Sequence, residues 1–193
     1  MYEAGGQTLT QMQQQHKVDS VVSYATNDLE IMVVKGNPKH IKGLADLASA
    51  GLRLSMPNPQ TEGVARQIAA SLKNSGGDHL REMVYGSKVT DGTSYLTQIH
   101  HRQTPMRLMQ GKSDAGVVWA SEVRFQEKIG NPIEGIRIPE SENITAVYAA
   151  GVVTDAPHRT VAEAWVRYLS SEEGQNAYRE FGFKPFANEH RAK

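Results

Sequence analysis

The 193-residue chain has no cysteine, which excludes disulfides, thiolate metal sites and a cysteine nucleophile. An excess of charge of one sign is absent too. Twenty-one basic residues balance 21 acidic ones, so no global field points to nucleic acid or an anionic membrane, and any anion site must be local. The longest apolar runs, IMVV and VYAAGVV, are far too short to cross a bilayer. The opening MYEAGGQTLTQMQQQHK carries no apolar stretch with a basic flank and a small-residue cleavage site, so the expectation is a cytoplasmic protein or one whose leader has been removed. No serine lies in a nucleophile-elbow pattern, and no repeat or low-complexity tract occurs. What remains, 39% hydrophobic and 22% charged, is the composition of a chain able to bury a core in one or two units.

Along the chain, TLTQMQQQHK predicts a short helix, LEIMVV a buried strand ending at the turn pair Asn37-Pro38, IKGLADLAS a helical turn and LRLSM a strand. Val64, Ile68 and Leu72 recur four apart, which predicts an amphipathic helix stopped by Gly76-Gly77. EMVYG predicts a strand, SKVTDGTSYLTQIHHRQ a loop, and AGVVWAS another strand. IRIPE and ITAVYAAGVV are extended, and TVAEAWVRYLSS and EEGQNAYREFG are helices; in the first, Val161, Ala164, Trp165, Tyr168 and Leu169 form an apolar stripe expected to face the core. The alternation of helix and strand predicts an α/β layer with parallel strands. In such sheets ligands sit beyond the carboxyl ends of the strands, which brings PNPQTEG, HHRQTP and WASE to one edge.

One segment concentrates charge. IHHRQTP places His100, His101 and Arg102 ahead of Thr104, an N-cap candidate, and Pro105, which suits the first turn of a helix through MRLMQG. A helix N-terminus favours an anion, and these cations add to that field. The other reading is structural: histidines at a strand end with Arg102 in water.

Residues 24 to 186 carry a wider pattern. The crossover strand with its K-G-N-P turn, the L-x-D-L segment, PNPQTEGVARQIAASL, SDAGVVWASE, the returning ITAVYAAGVV and the ending YLSSEEGQNAYREFGFKPF resemble the type II periplasmic solute-binding proteins of the molybdate, tungstate and sulfate class. The resemblance implies an α/β, two-lobed fold that captures a small anion between lobes and delivers it to an ABC permease in the periplasm or outside the cell, without cofactor, resident metal or catalysis. It maps 1–34 to part of the first lobe plus the crossover strand, 35–132 to the second lobe, and 133–193 to the returning strand and C-terminal helices of the first. The first lobe is incomplete at its N-terminus relative to the family pattern, because too little chain precedes Tyr24. An exposed sheet edge and self-association are then expected.

The same resemblance implies ligand contacts from Thr61, Glu62 and Gly63, mainly through backbone N–H groups. Two departures stand out. Glu62 brings a carboxylate near the anion, and Trp119 stands where the family commonly has tyrosine. Thr93, Ser94 and Tyr95 are the compensating hydroxyl donors, with His100, His101 and Arg102 as charged ones; Arg102 offers a planar fork to two oxygens. The alternatives are the ligand-sensing effector domain of a LysR-type regulator, a binder of a small organic carboxylate, and an enzyme using His100, His101, Glu62 and Glu122.

Overall fold

The structure, a computed structural model, describes residues 1–186. In chain order it contains β1 (Tyr2–Gly5), α1 (Gly6–Gln14), β2 (Val18–Asn27), β3 (Leu29–Val34), a 3₁₀ turn (Leu44–Ala48), β4 (Leu54–Met56) and α2 (Val64–Glu82). A π-type turn (Met83–Ser87), α3 (Lys88–Thr90), β5 (Ser94–Leu96), α4 (Gln103–Met109), β6 (Ala115–Trp119) and α5 (Ala120–Lys128) follow. The chain continues through β7 (Ile133–Arg137), β8 (Ala146–Val153), α6 (Arg159–Leu169), α7 (Glu172–Glu180) and β9 (Lys184–Pro185).

These elements form two units: Met1–Asn27 with the chain from Thr145 onward, and Asp28–Ile144. The boundaries fall at 27/28 and 144/145, not at 34/35 and 132/133. The reason is pairing: β3, expected as a crossover, bonds antiparallel to both β6 and β7 and so lies inside the second unit.

The continuous unit has a five-stranded sheet of order β5-β4-β6-β3-β7. Its β5, β4 and β6 run parallel as expected, whereas β3 and β7 are antiparallel, so the sheet is mixed. Every residue of LEIMVV but Glu30 and Val34 is buried, consistent with a strand covered on both faces. One face packs Leu54, Ala115 and Val117 against Leu44, Leu47, Ile68 and Leu72; the other packs Met32 and Val118 against Leu108 and Val123. Gly116 allows β6 to approach β4, since a Cβ there would lie 2.3 Å from the Ser55 carbonyl oxygen. At the amino end of β6, Asp114 accepts from Arg53 N–H at 2.8 Å, Nε at 3.1 Å and Nη2 at 2.8 Å.

EMVYG is helical, not a strand. Gly76 and Gly77 break α2, the latter at φ 69°, but the chain resumes a helical path and buries Leu80 and Val84, four apart, in the same core. The helix after β6, which carries Glu122, is absent from the sequence reading because its apolar positions are few.

The discontinuous unit has the sheet β1-β8-β2-β9, with β8 antiparallel to both β1 and β2. Leu9, Val18 and Ala149 pack on one side; Tyr24, Ala150 and Val152 pack with Ala162, Val166 and Leu169 on the other. The buried stripe of α6 is therefore Ala162, Val166 and Leu169. Of the predicted stripe only Leu169 is buried, and Val161 is 70% and Trp165 43% exposed. Core contact is made by the small and branched residues, while Trp165 stacks on Tyr168 and donates from Nε1 to Glu3 Oε1 at 2.7 Å. The ending S-E-E-G-Q has a mechanical reading: Ser171 caps α7 by accepting from Gly174 N–H at 3.1 Å. Gly174 has no room for a Cβ against the Tyr168 carbonyl, and Gln175 Nε2 donates to the Tyr24 and Leu169 carbonyls at 2.9 and 2.6 Å.

Candidate functional site

The loop after β4 is a tight turn built on Asn58. Its carbonyl accepts the N–H groups of Thr61 at 3.1 Å and Glu62 at 2.9 Å, and its side-chain oxygen accepts Gln60 N–H at 3.0 Å. This turn folds the Glu62 side chain back into the protein. Oε1 accepts from Asn58 N–H at 3.3 Å and from the hydroxyl of buried Thr97, which follows β5. The Glu62 side chain is 9% exposed, and its Oε2 faces His101. Past the turn, the N–H groups of Gly63 and Val64 at the start of α2 meet no acceptor among the described residues.

The loop after β5 is pinned by Gln103, whose Oε1 accepts the N–H groups of Gln98 and Ile99 at 2.6 and 3.0 Å. His100 and His101 turn there with ring centroids 3.8 Å apart, and Arg102 N–H donates to His100 Nδ1 at 3.3 Å. His101 Nδ1 lies 3.3 Å from Glu62 Oε2. Arg102 Nε lies 3.3 Å from Glu122 Oε2, with the guanidinium 5.1 Å above the Phe125 ring centre. Glu122 is buried on α5 and accepts from Gln126 Nε2 at 2.8 Å, while Gln126 Oε1 in turn accepts from Asn131 Nδ2. Burial first, then neighbouring His100, push the His101 imidazole below its ordinary value, and Glu122 and Glu62 only partly offset this. The loops beyond β4 and β5 and the first turn of α5, directly after β6, thus meet through two carboxylates, one imidazole and one guanidinium.

That geometry sorts the expected residues. Glu62, His101 and Arg102 belong to one cluster, with His100 stacked on it and Gly63 beside it. Thr61 is exposed, its N–H committed to Asn58. Thr93 and Ser94 lie at the amino end of β5, opposite the loops: Thr93 donates to the Lys88 carbonyl, and Ser94 is buried. Tyr95 is exposed and gives its carbonyl to Arg107. Trp119 packs against the core. Thr104 is no N-cap, because α4 starts at Gln103 and Thr104 is buried against Ser55 Oγ at 3.1 Å; Pro105 is then the third helical residue. Sequence reading overlooked Thr97 and Asn58. Asn58 carried a signal, the Asn-Pro pair that starts a side-chain turn, whereas Thr97 had none. Among the described residues no three His, Asp or Glu side chains converge as metal ligands would, and no helix is long and apolar enough to cross a membrane. A surface groove lined by Lys39, His40, Asp46 and Ser49 contains none of the expected site residues.

A model of the bacterial extracellular solute-binding proteins matches residues 1–184. The chain belongs to that family. Among relatives of this solute-binding protein, the molybdate-binding protein ModA of Mycobacterium tuberculosis H37Rv is 24% identical over 161 residues, 83% of this chain and 55% of ModA. The sulfate-binding protein of Escherichia coli K12 is 28% identical over 170 residues, 83% of this chain and 51% of that protein. The chain thus spans about half the length of these relatives. In structure it resembles the sulfate-binding protein SubI of M. tuberculosis H37Rv, with a TM-score of 0.73 at 19% identity over 92% of this chain and 65% of SubI. That likeness establishes the fold, a periplasmic-binding-protein-like α/β architecture.

Proposed function

We propose that this solute-binding protein captures a small oxyanion in an exported compartment for delivery to an ABC permease, and that the loops beyond β4 and β5 and the first turn of α5 contribute to its ligand contacts. Family membership, together with relatives named for molybdate and sulfate, is the observation that carries the reading. The site supplies compatible donors: the Gly63 and Val64 N–H groups and the Arg102 guanidinium, whose Nη atoms are without an acceptor among the described residues. The relatives are named as binding proteins, and no enzymatic step is proposed. The LysR-type alternative is not favoured by the family match.

The test is a thermal-shift screen with molybdate, tungstate, sulfate, phosphate, arsenate and small carboxylates, because a ligand bound only by the folded state raises its stability with concentration. Stabilisation by an oxyanion, weakened in Arg102→Ala, is the expected result. A response confined to carboxylates would replace the oxyanion reading.

A further inference from the structure

We propose that the chain pairs with a second copy of itself through the outer edge of β1 and the exposed stripe of α6, forming a two-fold dimer in which the two β1-β8-β2-β9 sheets join edge to edge. Two features of the discontinuous unit carry this, and each asks for something different. The first is an open strand edge. β1 ends its sheet and pairs only with β8, so among the described residues every second residue of Tyr2–Gly5 turns its N–H and C=O away from any strand. A further strand completes such a ladder, and an apolar surface alone does not.

The second feature is a helix seam. Ala162, Val166 and Leu169 of α6 face the core, whereas Val161, Ala164, Trp165 and Tyr168 are exposed on the opposite side. Their spacing of three, four and seven residues is the one by which a helix packs on another helix. The stripe is fastened to the open edge, because Trp165 stacks on Tyr168 and donates from Nε1 to Glu3 of β1. A second copy presents a strand edge and an apolar helix in the same relation. A two-fold axis at the edge pairs β1 antiparallel with its counterpart and sets the two α6 helices side by side, antiparallel, on one face of the joined sheet. With the helices centred between Ala164 and Trp165, Val161 meets Tyr168 of the second copy and Ala164 meets its Trp165, small against large. The same register brings Arg167, which has no ion pair among the described residues, within a residue of Glu163 of the second copy, and the symmetry repeats that pair across the axis. The surface thus complements itself in backbone hydrogen bonds, in side-chain size and in charge.

Sedimentation velocity of the full chain over a concentration series is expected to show a monomer converting to a species of twice its mass. Amide hydrogen exchange at Tyr2–Gly5 is expected to slow as the concentration rises, because pairing supplies the acceptors that the edge lacks. Val161→Glu puts a carboxylate into the seam at a position 70% exposed in the single chain, so the variant keeps its fold. It is expected to weaken the dimer at least about tenfold and to move the slowing of β1 exchange to correspondingly higher concentration. A chain that stays monomeric throughout the series overturns the proposal. A dimer whose affinity is unchanged in Val161→Glu also overturns it, as does one in which the β1 amides exchange at the same rate at every concentration, since such a dimer uses another surface. The mass and exchange measurements on the unaltered chain need no variant.

Discussion

The two units solve the same problem with different means. Among the described residues, the continuous unit buries clusters of 17 and 5 apolar residues on the two faces of its sheet, whereas the discontinuous unit buries 7 and 3. The first is held by depth of core. The second relies more on named polar fasteners, the Ser171 cap, the Gln175 bridge and the Trp165–Glu3 hydrogen bond, and leaves an apolar stripe of α6 exposed. The difference teaches that signature residues in one half are tolerances of packing, and in the other are the joints themselves.

The contrast can be broken most directly by truncation. Leu54→Ala, in the larger core, is expected to cost about 4 kcal/mol, and Leu169→Ala, in the smaller, about 2 kcal/mol, measured from urea midpoints; equal losses would remove the distinction. Next in size is Asp114→Asn, with a cost of about 1.5 kcal/mol at neutral pH from weakened charge-assisted hydrogen bonds. Burial acts to raise the Asp114 carboxyl, but the hydrogen bonds and charge of Arg53 outweigh it and hold the group below its ordinary value. Its contribution is therefore present above about pH 4, the unfolded carboxylate range, and lost as the pH falls through the lower folded value. Melting curves of the two proteins should converge in acid.

A smaller effect, within about 1 kcal/mol, is expected for His101→Gln, and it lies in the slope with pH. Because the folded imidazole is held below its ordinary value, the unfolded chain takes up a proton first as pH falls below about 6.5, and the native protein loses stability there. The variant should melt with a flatter dependence between about pH 7.5 and 5.5; an equal slope would exclude His101 as its source. Smallest is Trp165→Ser, at under about 1 kcal/mol, since only a half-exposed stack and one surface hydrogen bond are lost. Light scattering over a concentration series should show less self-association in that variant, and a monomeric parent would remove the expectation.

Much of the fold was legible because its signals are local. LEIMVV, LRLSM and AGVVW read directly as strands, and the KGNP, LADL, DAG and SEEGQ segments resembled a family for reasons the structure makes physical: an Asn37 turn, two buried leucines, an Arg53–Asp114 tie with a close strand approach, and a cap with its bridge. EMVYG was misread because tertiary burial of Leu80 and Val84 outweighs the strand propensity of the run. On α6 the periodicity admitted two stripes, and only the packing distinguished them. The site was partly legible. His101 and Arg102 announced themselves as charge, but their partners Glu62 and Glu122 lie 39 residues earlier and 20 residues later in the chain, beyond the reach of spacing. Thr93 and Ser94 are neighbours of the cluster in sequence, yet the direction of β5 carries them to its far end.

The interruption of one unit by the other also sets a schedule. Asp28–Ile144 is complete as soon as residue 144 has been synthesised, and its contacts need nothing that follows. β2, by contrast, has its main partner β8 on the far side of that whole unit, so Val18 cannot meet Val153 until the rest of the chain has emerged. The strand that holds the discontinuous unit together is made early and paired late. Pairing across so long an interval carries a large loop-closure cost, so the β2–β8 contacts are expected to form after those within Asp28–Ile144.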